Sequence, residues 1–316
     1  MLDAGRPRPA FSFNYSGLAF CHHERICHHE RSRDLIFLRD LCYFANFAWN
    51  SYYFHVNRIL ILLLMFSIAF MPANAQKKKT TKKPAPKPTA NAPLPDPYRD
   101  ILANAQQALV VTVSGWNSID GTLQRFEKHD GKWQEVGQKF PIVVGKSGLG
   151  WDGITDPPSK SGQPIKKEGD GRSPAGIFKI TELFGFDQSR DAKLPYRPLT
   201  ESIECVDDVS SQSYNEIVDR KEMPNPDWNS SEKMRTIDVY QIGAVVDYNS
   251  PKIPDAGSCI FLHIWKGPGH GTAGCTAMEE SHVKELAGWL DEKKQPILIQ
   301  LPQAMYEGLR ELWQLP

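Results

Sequence analysis

The stretch from Ile260 to Met278, IFLHIWKGPGHGTAGCTAM, constrains this chain more than any other part of its sequence. A short apolar run, Ile260–Leu262, predicts a strand that ends at His263. A loop with four glycines follows, and Cys275 stands on a Gly-Cys turn twelve residues after the histidine. A histidine leaving a strand and a cysteine on a tight turn can meet in space, as a thiol nucleophile and its base must.

The roles of these residues follow from thiol chemistry. A thiolate attacks carbonyl groups, and a nearby imidazole lowers the pKa of the thiol and supplies a proton to the leaving amine. Gly274 allows a tight turn, and the backbone N–H groups of Gly274 and Cys275 are candidate donors to a developing oxyanion. Taken singly, a buried cysteine and a strand histidine are more often core residues, but their joint pattern favours catalysis.

Length and charge narrow the classes of partner. The chain has 316 residues, of which 41% are hydrophobic, so it can form one large domain or two small ones around a core. Lys and Arg together number 37, as do Asp and Glu. Because this balance gives no overall field toward polyanions, we expect no nucleic-acid partner.

The N-terminal region carries an export signal. The apolar stretch Ile59–Met71 is too short to span a bilayer of about 30 Å, and Ala73-Asn74-Ala75 follows as a cleavage site. We therefore predict a signal peptide over 56–75, a periplasmic or cell-wall location, and no transmembrane anchor after cleavage. Secretory signals begin at the N-terminus, so residues 1–55 are interpreted as a leader that is not translated. Its Cys/His repeats match no usual zinc spacing, and no metal site is predicted.

A Lys- and Pro-rich run over 76–97 predicts an extended linker, which leaves 98–316 as the folded domain. Cleavage after Ala75 leaves three cysteines, so at least one thiol is free, and Cys275 is the natural candidate. The spacing of Cys205 and Cys259 is compatible with a disulfide and equally with two separate buried thiols.

Periodicity in the domain predicts a mainly β architecture with a few helices packed on it. Helices are expected over Tyr98–Gln107, Ser281–Lys294 and Pro302–Trp313, and strands over Ala108–Trp116, Pro141–Gly145, Ile177–Ile180, Ile242–Tyr248 and Pro296–Leu301, with a hairpin turn at Asp130-Gly131 and a mostly irregular segment over Leu199–Tyr240. A long polar loop, 151–176, carries Arg172. This arginine is either a bidentate grip for a substrate carboxylate or a surface residue paired with a nearby aspartate.

Three segments together resemble the L,D-transpeptidase catalytic domain (YkuD-type) family. They are Ser173-Pro174-Ala175-Gly176-x-Phe178, His263, and Thr272-Ala273-Gly274-Cys275, where the family signature is a histidine followed by Ser/Thr-x-Gly-Cys. The resemblance covers roughly 108–301. It implies a β-sandwich-like domain with a few packed helices, Cys275 as nucleophile, His263 as base, and Thr272 and Gly274 in the oxyanion or substrate-binding turn.

The chain departs from the better-known branch of that family beside the cysteine. That branch has a histidine before Gly-Cys and an arginine shortly after, whereas this chain has Ala273 and Thr276-Ala277. The substrate-carboxylate contact made by that arginine is therefore either absent or supplied elsewhere, for instance by Arg172. His270 in the glycine loop is a further substrate-binding candidate, with plain solvent exposure as the alternative.

The resemblance implies an acyltransferase that acts on peptidoglycan stem peptides in cell-wall biogenesis. Cys275 would attack the carbonyl of the third stem residue, expel the terminal D-alanine and hold the remainder as a thioester for transfer to an amine. Neither a metal nor an organic cofactor is expected, and the protein is expected to be a monomer. Two alternatives stay open: an L,D-carboxypeptidase that uses water as acceptor, and a catalytically silent wall-binding module.

Overall fold

The computed structural model describes residues 94–155 and 162–316. The leader predicted over 1–55, the signal peptide predicted over 56–75 and the linker up to residue 93 lie outside the described residues. The helices are α1 (Asp96–Asn104), α2 (Glu280–Trp289) and α3 (Gln303–Leu309). No helix in the described part of the chain has the length and apolar character needed to cross a membrane.

The mainly β fold predicted from the sequence is confirmed. The strands are β1 (Gln107–Val113), β2 (Asp120–His129), β3 (Lys132–Val143), β4 (Leu149–Trp151), β5 (Ser173–Gly185), β6 (Tyr196–Pro198), β7 (Ile203–Val206), β8 (Ile217–Asp219), β9 (Ser231–Lys233), β10 (Ile242–Val246), β11 (Phe261–Ile264), β12 (Thr276–Met278) and β13 (Ile297–Pro302). β1 and β13 pair in parallel, which places the C-terminal part of the chain in the centre of the large sheet.

The large sheet closes on itself. Its strand order is β10-β11-β12-β3-β2-β1-β13-β5, and β5 pairs again with β10. The long strand β5 makes this possible, because residues 176–179 pair with β13 while 180–185 pair with β10. The apolar faces of these strands, together with those of α2 and α3, form the main core. β11 and β12 thus lie inside a continuous ladder with partners on both sides.

The predicted hairpin at Asp130-Gly131 is confirmed, and both residues have the positive φ that a two-residue type I′ turn requires, 49° and 75°. The separate short strand predicted over Pro141–Gly145 is wrong, because residues up to Val143 continue β3. A bulge at Gly137, whose φ is +66°, shifts the register against β2 and lets the pairing continue.

The segment from Leu199 to Tyr240 is more ordered than its sequence suggests. It contains a three-stranded antiparallel sheet, β8-β7-β9, hereafter the small sheet, and a 3₁₀ turn over Asp238–Tyr240. Its strands have three or four residues, too few to show an alternating pattern.

A disulfide joins this sheet to the strand that carries the predicted histidine. Cys205 of β7 is bonded to Cys259, two residues before β11, with a Cα–Cα distance of 6.1 Å. Of the two possibilities left open by the sequence, the disulfide is therefore the one observed. A second apolar cluster lies at this junction, where Phe184, Tyr240 and Phe261 make edge-to-face contacts with centroids 5.2 to 5.6 Å apart.

Candidate active site

His263 lies in β11, opposite Gly243 of β10 and Ala277 of β12. Its side chain is 7% exposed, and Nδ1 lies 2.7 Å from the carbonyl oxygen of Ile264. A carbonyl only accepts, so Nδ1 carries the proton and Nε2 keeps its lone pair. Burial lowers the pKa of His263 to about 4, which makes the imidazole neutral at pH 7.

Cys275 immediately precedes β12 and is the free cysteine among the described residues. Its Sγ accepts a hydrogen bond from the Phe261 N–H at 3.3 Å and donates to the Cys259 carbonyl at 3.4 Å. Burial, and then the charge of Glu232, raise the pKa of the thiol to about 12. The cysteine and the histidine are therefore both uncharged at neutral pH.

Tyr240 connects the two predicted catalytic side chains. Its ring packs edge-on against the imidazole of His263 with centroids 5.2 Å apart, and its hydroxyl lies beside the Cys275 thiol. Phe261 and His263 point to the same face of β11 because they are two residues apart. The fold thus brings the thiol and the imidazole to one side of the sheet, around one tyrosine.

Two hydroxyl groups fix the turn before the cysteine. Thr272 Oγ1 donates to the Cys275 carbonyl at 2.6 Å and accepts from the Gly274 N–H at 3.1 Å. Ser173 Oγ, at the start of β5, donates to the same carbonyl at 2.8 Å. Because the Gly274 N–H is already bonded within the turn, the donor left for an oxyanion is the N–H of Cys275.

The need for glycine at position 274 comes from packing rather than from a left-handed conformation. Gly274 is not among the residues of positive φ. A Cβ there would lie 3.2 Å from Ile260 Cδ1 and 3.3 Å from the Arg172 carbonyl oxygen, both tighter than ordinary contacts. A larger side chain would push the turn, and Cys275 with it, away from β11.

A groove of about 250 Å³ opens beside His263. One side, which we call the His263 wall, belongs to β11, the glycine loop and β12. The other side, the Glu232 wall, belongs to the small sheet and the turn after it. The His263 wall consists of His263, Ile264, Trp265, Lys266, His270, Gly271, Thr272, Ala273 and Ala277, and the Glu232 wall of Glu232, Ile237, Val239 and Tyr240.

His270 lies on this groove and is exposed to solvent, with Nδ1 3.1 Å from the Pro268 carbonyl oxygen. Arg172 lies elsewhere. Its guanidinium donates to the carbonyl oxygens of Trp116 and Leu149 at 3.0 and 2.9 Å and to Asn117 Oδ1 at 2.9 Å, and it is not part of the groove lining. This geometry favours a structural role in which Arg172 holds the polar loop in place. Its contact with a substrate carboxylate stays a prediction.

Two charged side chains near the thiol were not identified from the sequence. Glu232, in the middle of β9, accepts a hydrogen bond from the Tyr240 hydroxyl at 2.7 Å. Lys166 is 3% exposed, forms an ion pair with Asp170 at 3.0 Å, and its charge favours the thiolate form of Cys275. Neither residue belongs to a recognisable motif, because each is far from Cys275 in the sequence and comes near the thiol only in the folded chain.

The sequence gives Ser173 no role beyond its place in a motif, whereas in the structure its hydroxyl holds the turn at Cys275. In the part of the chain that the structure describes, no three His, Cys, Asp or Glu side chains are grouped so as to hold a metal ion.

A comparison with protein-family models matches residues 122–299 to the L,D-transpeptidase catalytic domain, YkuD. The matched range contains both walls of the groove, Arg172 and the disulfide. Comparisons with curated proteins and with solved structures give no match.

Proposed function

Because this chain belongs to the L,D-transpeptidase catalytic domain family, whose members act on peptidoglycan, we propose that it is an exported cysteine-dependent L,D-transpeptidase acting on stem peptides. The observation that carries the proposal is the convergence of the Cys275 thiol and the His263 imidazole on Tyr240 beside one groove.

The proposed acylation begins with an uncharged pair. His263 Nε2, whose lone pair is fixed by the Nδ1 hydrogen bond, takes the thiol proton as Cys275 Sγ attacks the carbonyl carbon of the third stem residue. The bond to the terminal D-alanine nitrogen then breaks, and the imidazolium returns the proton to that leaving amine. The products are a Cys275 thioester, a free D-alanine and a neutral histidine.

Because the site is buried, the proposed thiolate–imidazolium ion pair of Cys275 and His263 forms only during the attack. The pKa values of the thiol, about 12, and of the imidazole, about 4, both favour the neutral forms, because charge is poorly solvated there. Lys166 stabilises the thiolate as it forms. In this proposal the Cys275 N–H stabilises the oxyanion, Thr272 and Gly274 hold the turn in place, and His270 contacts the substrate along the groove.

Intact-protein mass spectrometry with a purified tetrapeptide stem tests the proposal. Wild-type protein should gain the mass of the donor minus D-alanine, Cys275→Ala should gain none, and His263→Asn should acylate about 10²- to 10⁴-fold more slowly. Cys205 and Cys259 are in a disulfide, so the adduct has one expected site. An adduct on Cys275→Ala would contradict the assignment of the nucleophile.

The products separate the alternatives. A transferase yields 3→3 linked dimers or amine-exchanged peptides, a carboxypeptidase yields tripeptide alone, and a silent wall-binding module forms no adduct.

The proposed organisation is an untranslated leader over 1–55, a signal peptide over 56–75, a linker over 76–97 and a catalytic domain over 98–316. The same mass measurement on untreated exported protein checks it, because a mature chain that begins at Gln76 has one expected mass.

A further inference from the structure

The Glu232 wall brings an ionisable group into the reaction groove. β9 pairs with β7 so that Glu232 lies opposite Cys205, and the disulfide from Cys205 to Cys259 attaches this pair of strands to the catalytic strand. Glu232 is half-buried and lines the groove together with His263. The Tyr240 hydroxyl donates to Oε2, which orients the carboxylate, while Oε1 has no hydrogen-bond partner among the described residues.

The surroundings of Glu232 bring the pKa of its carboxylate close to neutral pH. Burial raises its pKa to about 7, the charges of Asp207 and Glu168 act in the same direction, and the bond from Tyr240 opposes them. The ionisable groups on the opposite wall are His263, Lys266 and His270. The buried Cys275 thiol is not part of the groove lining, but the charge of Glu232 acts on it. Glu232 is therefore a second proton acceptor beside the imidazole, on the opposite wall.

The transfer step proposed for this enzyme needs such a group. A primary amine arrives mostly as an ammonium ion at neutral pH, since the usual amine pKa is about 10. The ammonium has no lone pair for attack on a thioester and must first lose a proton. Water already carries a lone pair, so a carboxylate that binds and deprotonates the ammonium ion would accelerate amine transfer more than hydrolysis.

We propose that Glu232, oriented by Tyr240, binds the ammonium group of the acceptor and takes one proton from it, so that the thioester is transferred to an amine rather than hydrolysed. The neutral amine attacks the thioester carbonyl, and its second proton passes to His263 Nε2. The tetrahedral intermediate then expels the Cys275 thiolate, which regains its proton from the imidazolium. The proton on Glu232 returns to solvent, so that all atoms and charges balance. This inference depends on the proposed function.

The test measures acylation and the fate of the acyl group separately in the full-length mature protein. Wild-type, Glu232→Gln and Glu216→Gln proteins receive a tetrapeptide stem and then glycine, a second stem peptide with a free side-chain amine, or water alone. Glu216 is the matched control, because it also lies in this segment and pairs with Lys252 outside the groove. Glu216→Gln should leave acylation and transfer unchanged. Glu232→Gln should still acylate, faster than wild type because the charge that raises the pKa of the thiol is gone, while its ratio of amine transfer to hydrolysis falls about 100-fold.

A weakly basic acceptor separates proton removal from a merely structural role. Methoxyamine is largely neutral at pH 7, so Glu232→Gln should accept it as well as wild type does, after subtraction of the rate on unfolded acyl-enzyme. A structural defect would reduce glycine and methoxyamine transfer alike. Glu232→Asp should restore part of the glycine transfer, and it decides the question if Glu232→Gln does not fold.

Three outcomes would overturn the inference: an unchanged ratio of transfer to hydrolysis in Glu232→Gln, equal loss with both amines, or failure of the folded variant to acylate. If Glu232→Gln does not fold and Glu232→Asp is used instead, an unchanged ratio of transfer to hydrolysis in Glu232→Asp would overturn the inference as well. If wild-type protein forms no acyl-enzyme at all, the proposed function itself fails, which is a distinguishable result. If only the stem peptide or only glycine is accepted, the measurement also identifies the source of the amine.

Discussion

The His263 wall and the Glu232 wall face the same groove but are held by different kinds of bonds. β11 and β12 lie in the closed ladder of the large sheet, and the turn before Cys275 is fixed by the hydroxyls of Thr272 and Ser173. The small sheet has strands of three or four residues and pairs only within itself. The disulfide, the ring contact of Tyr240 with Phe261, and side-chain hydrogen bonds such as those of Asn215 with the Cys259 N–H and the Tyr248 carbonyl attach the segment that contains it to the chain around β11.

This difference separates two requirements of the proposed reaction. Bond formation to Cys275 depends on the rigid ladder, whose geometry many backbone hydrogen bonds determine. Selection of the acceptor depends on the Glu232 wall, which shares no strand ladder with the large sheet and is positioned by the disulfide and by side-chain contacts. Three predictions test this division.

The largest effect on stability is expected from the disulfide. The double variant Cys205→Ser/Cys259→Ser should lose about 4 kcal/mol of unfolding free energy, because the bond closes a loop of 54 residues. Denaturant unfolding measures the loss. Acylation of Cys275 should fall less than amine transfer, since the disulfide holds the Glu232 wall and not the ladder.

Both cysteines are replaced together so that neither can mispair with Cys275. Cys275→Ser, which keeps the disulfide, is the control for loss of a thiol. A stability change under about 1 kcal/mol, with transfer intact, would show that packing alone holds the small sheet.

The two walls should respond to acid with opposite signs. His263 has a folded pKa of about 4 against 6.5 when exposed, so the unfolded chain binds its proton first and stability falls between pH 6.5 and 4, by about 3 kcal/mol in total. Glu232 has a folded pKa of about 7 against 4.5, so the folded chain binds its proton first and stability rises as pH falls from 7 to 4.5. Its partial exposure reduces this gain to about 1–2 kcal/mol.

Unfolding free energies of wild type, His263→Gln and Glu232→Gln, measured between pH 4 and 7.5, check both signs. His263→Gln should lose less stability than wild type on acidification, and Glu232→Gln should lose more. Parallel curves for all three proteins would mean that neither group is as buried in solution as the structure has it.

The smallest effect on stability is expected at Arg172, behind the turn that precedes Cys275. Arg172→Met removes three hydrogen bonds to Trp116, Leu149 and Asn117 and should cost about 2 kcal/mol of stability, with the KM for the donor peptide unchanged. Arg190→Met, which removes an ion pair with the exposed Asp187, is the control and should cost under about 1 kcal/mol. A tenfold rise in KM at unchanged stability would instead support Arg172 as the carboxylate contact.

Long segments with a clear periodicity were predicted well. The helix expected over Ser281–Lys294 is observed over Glu280–Trp289, and the strand expected over Pro296–Leu301 is observed over Ile297–Pro302. The strand expected over Ile177–Ile180 is the centre of β5, whose full length was not predicted. β5 is buried on both faces for much of its course, so it lacks the alternation that would have indicated its ends.

The sequence alone determined the mainly β class, the signature of a strand histidine with a Gly-Cys turn, and the prediction of at least one free thiol, because each depends on local composition or on a count of cysteines. Only the tertiary structure decided that Cys205 pairs with Cys259, that Arg172 bonds to backbone carbonyls, and that Tyr240 and Glu232 stand beside the thiol. These contacts join segments far apart in the chain, and the spacing that brings them together is set by the closed sheet. The Ile260–Met278 stretch therefore supplies the proposed nucleophile and base, while one wall of the groove beside His263 is built by distant segments of the fold.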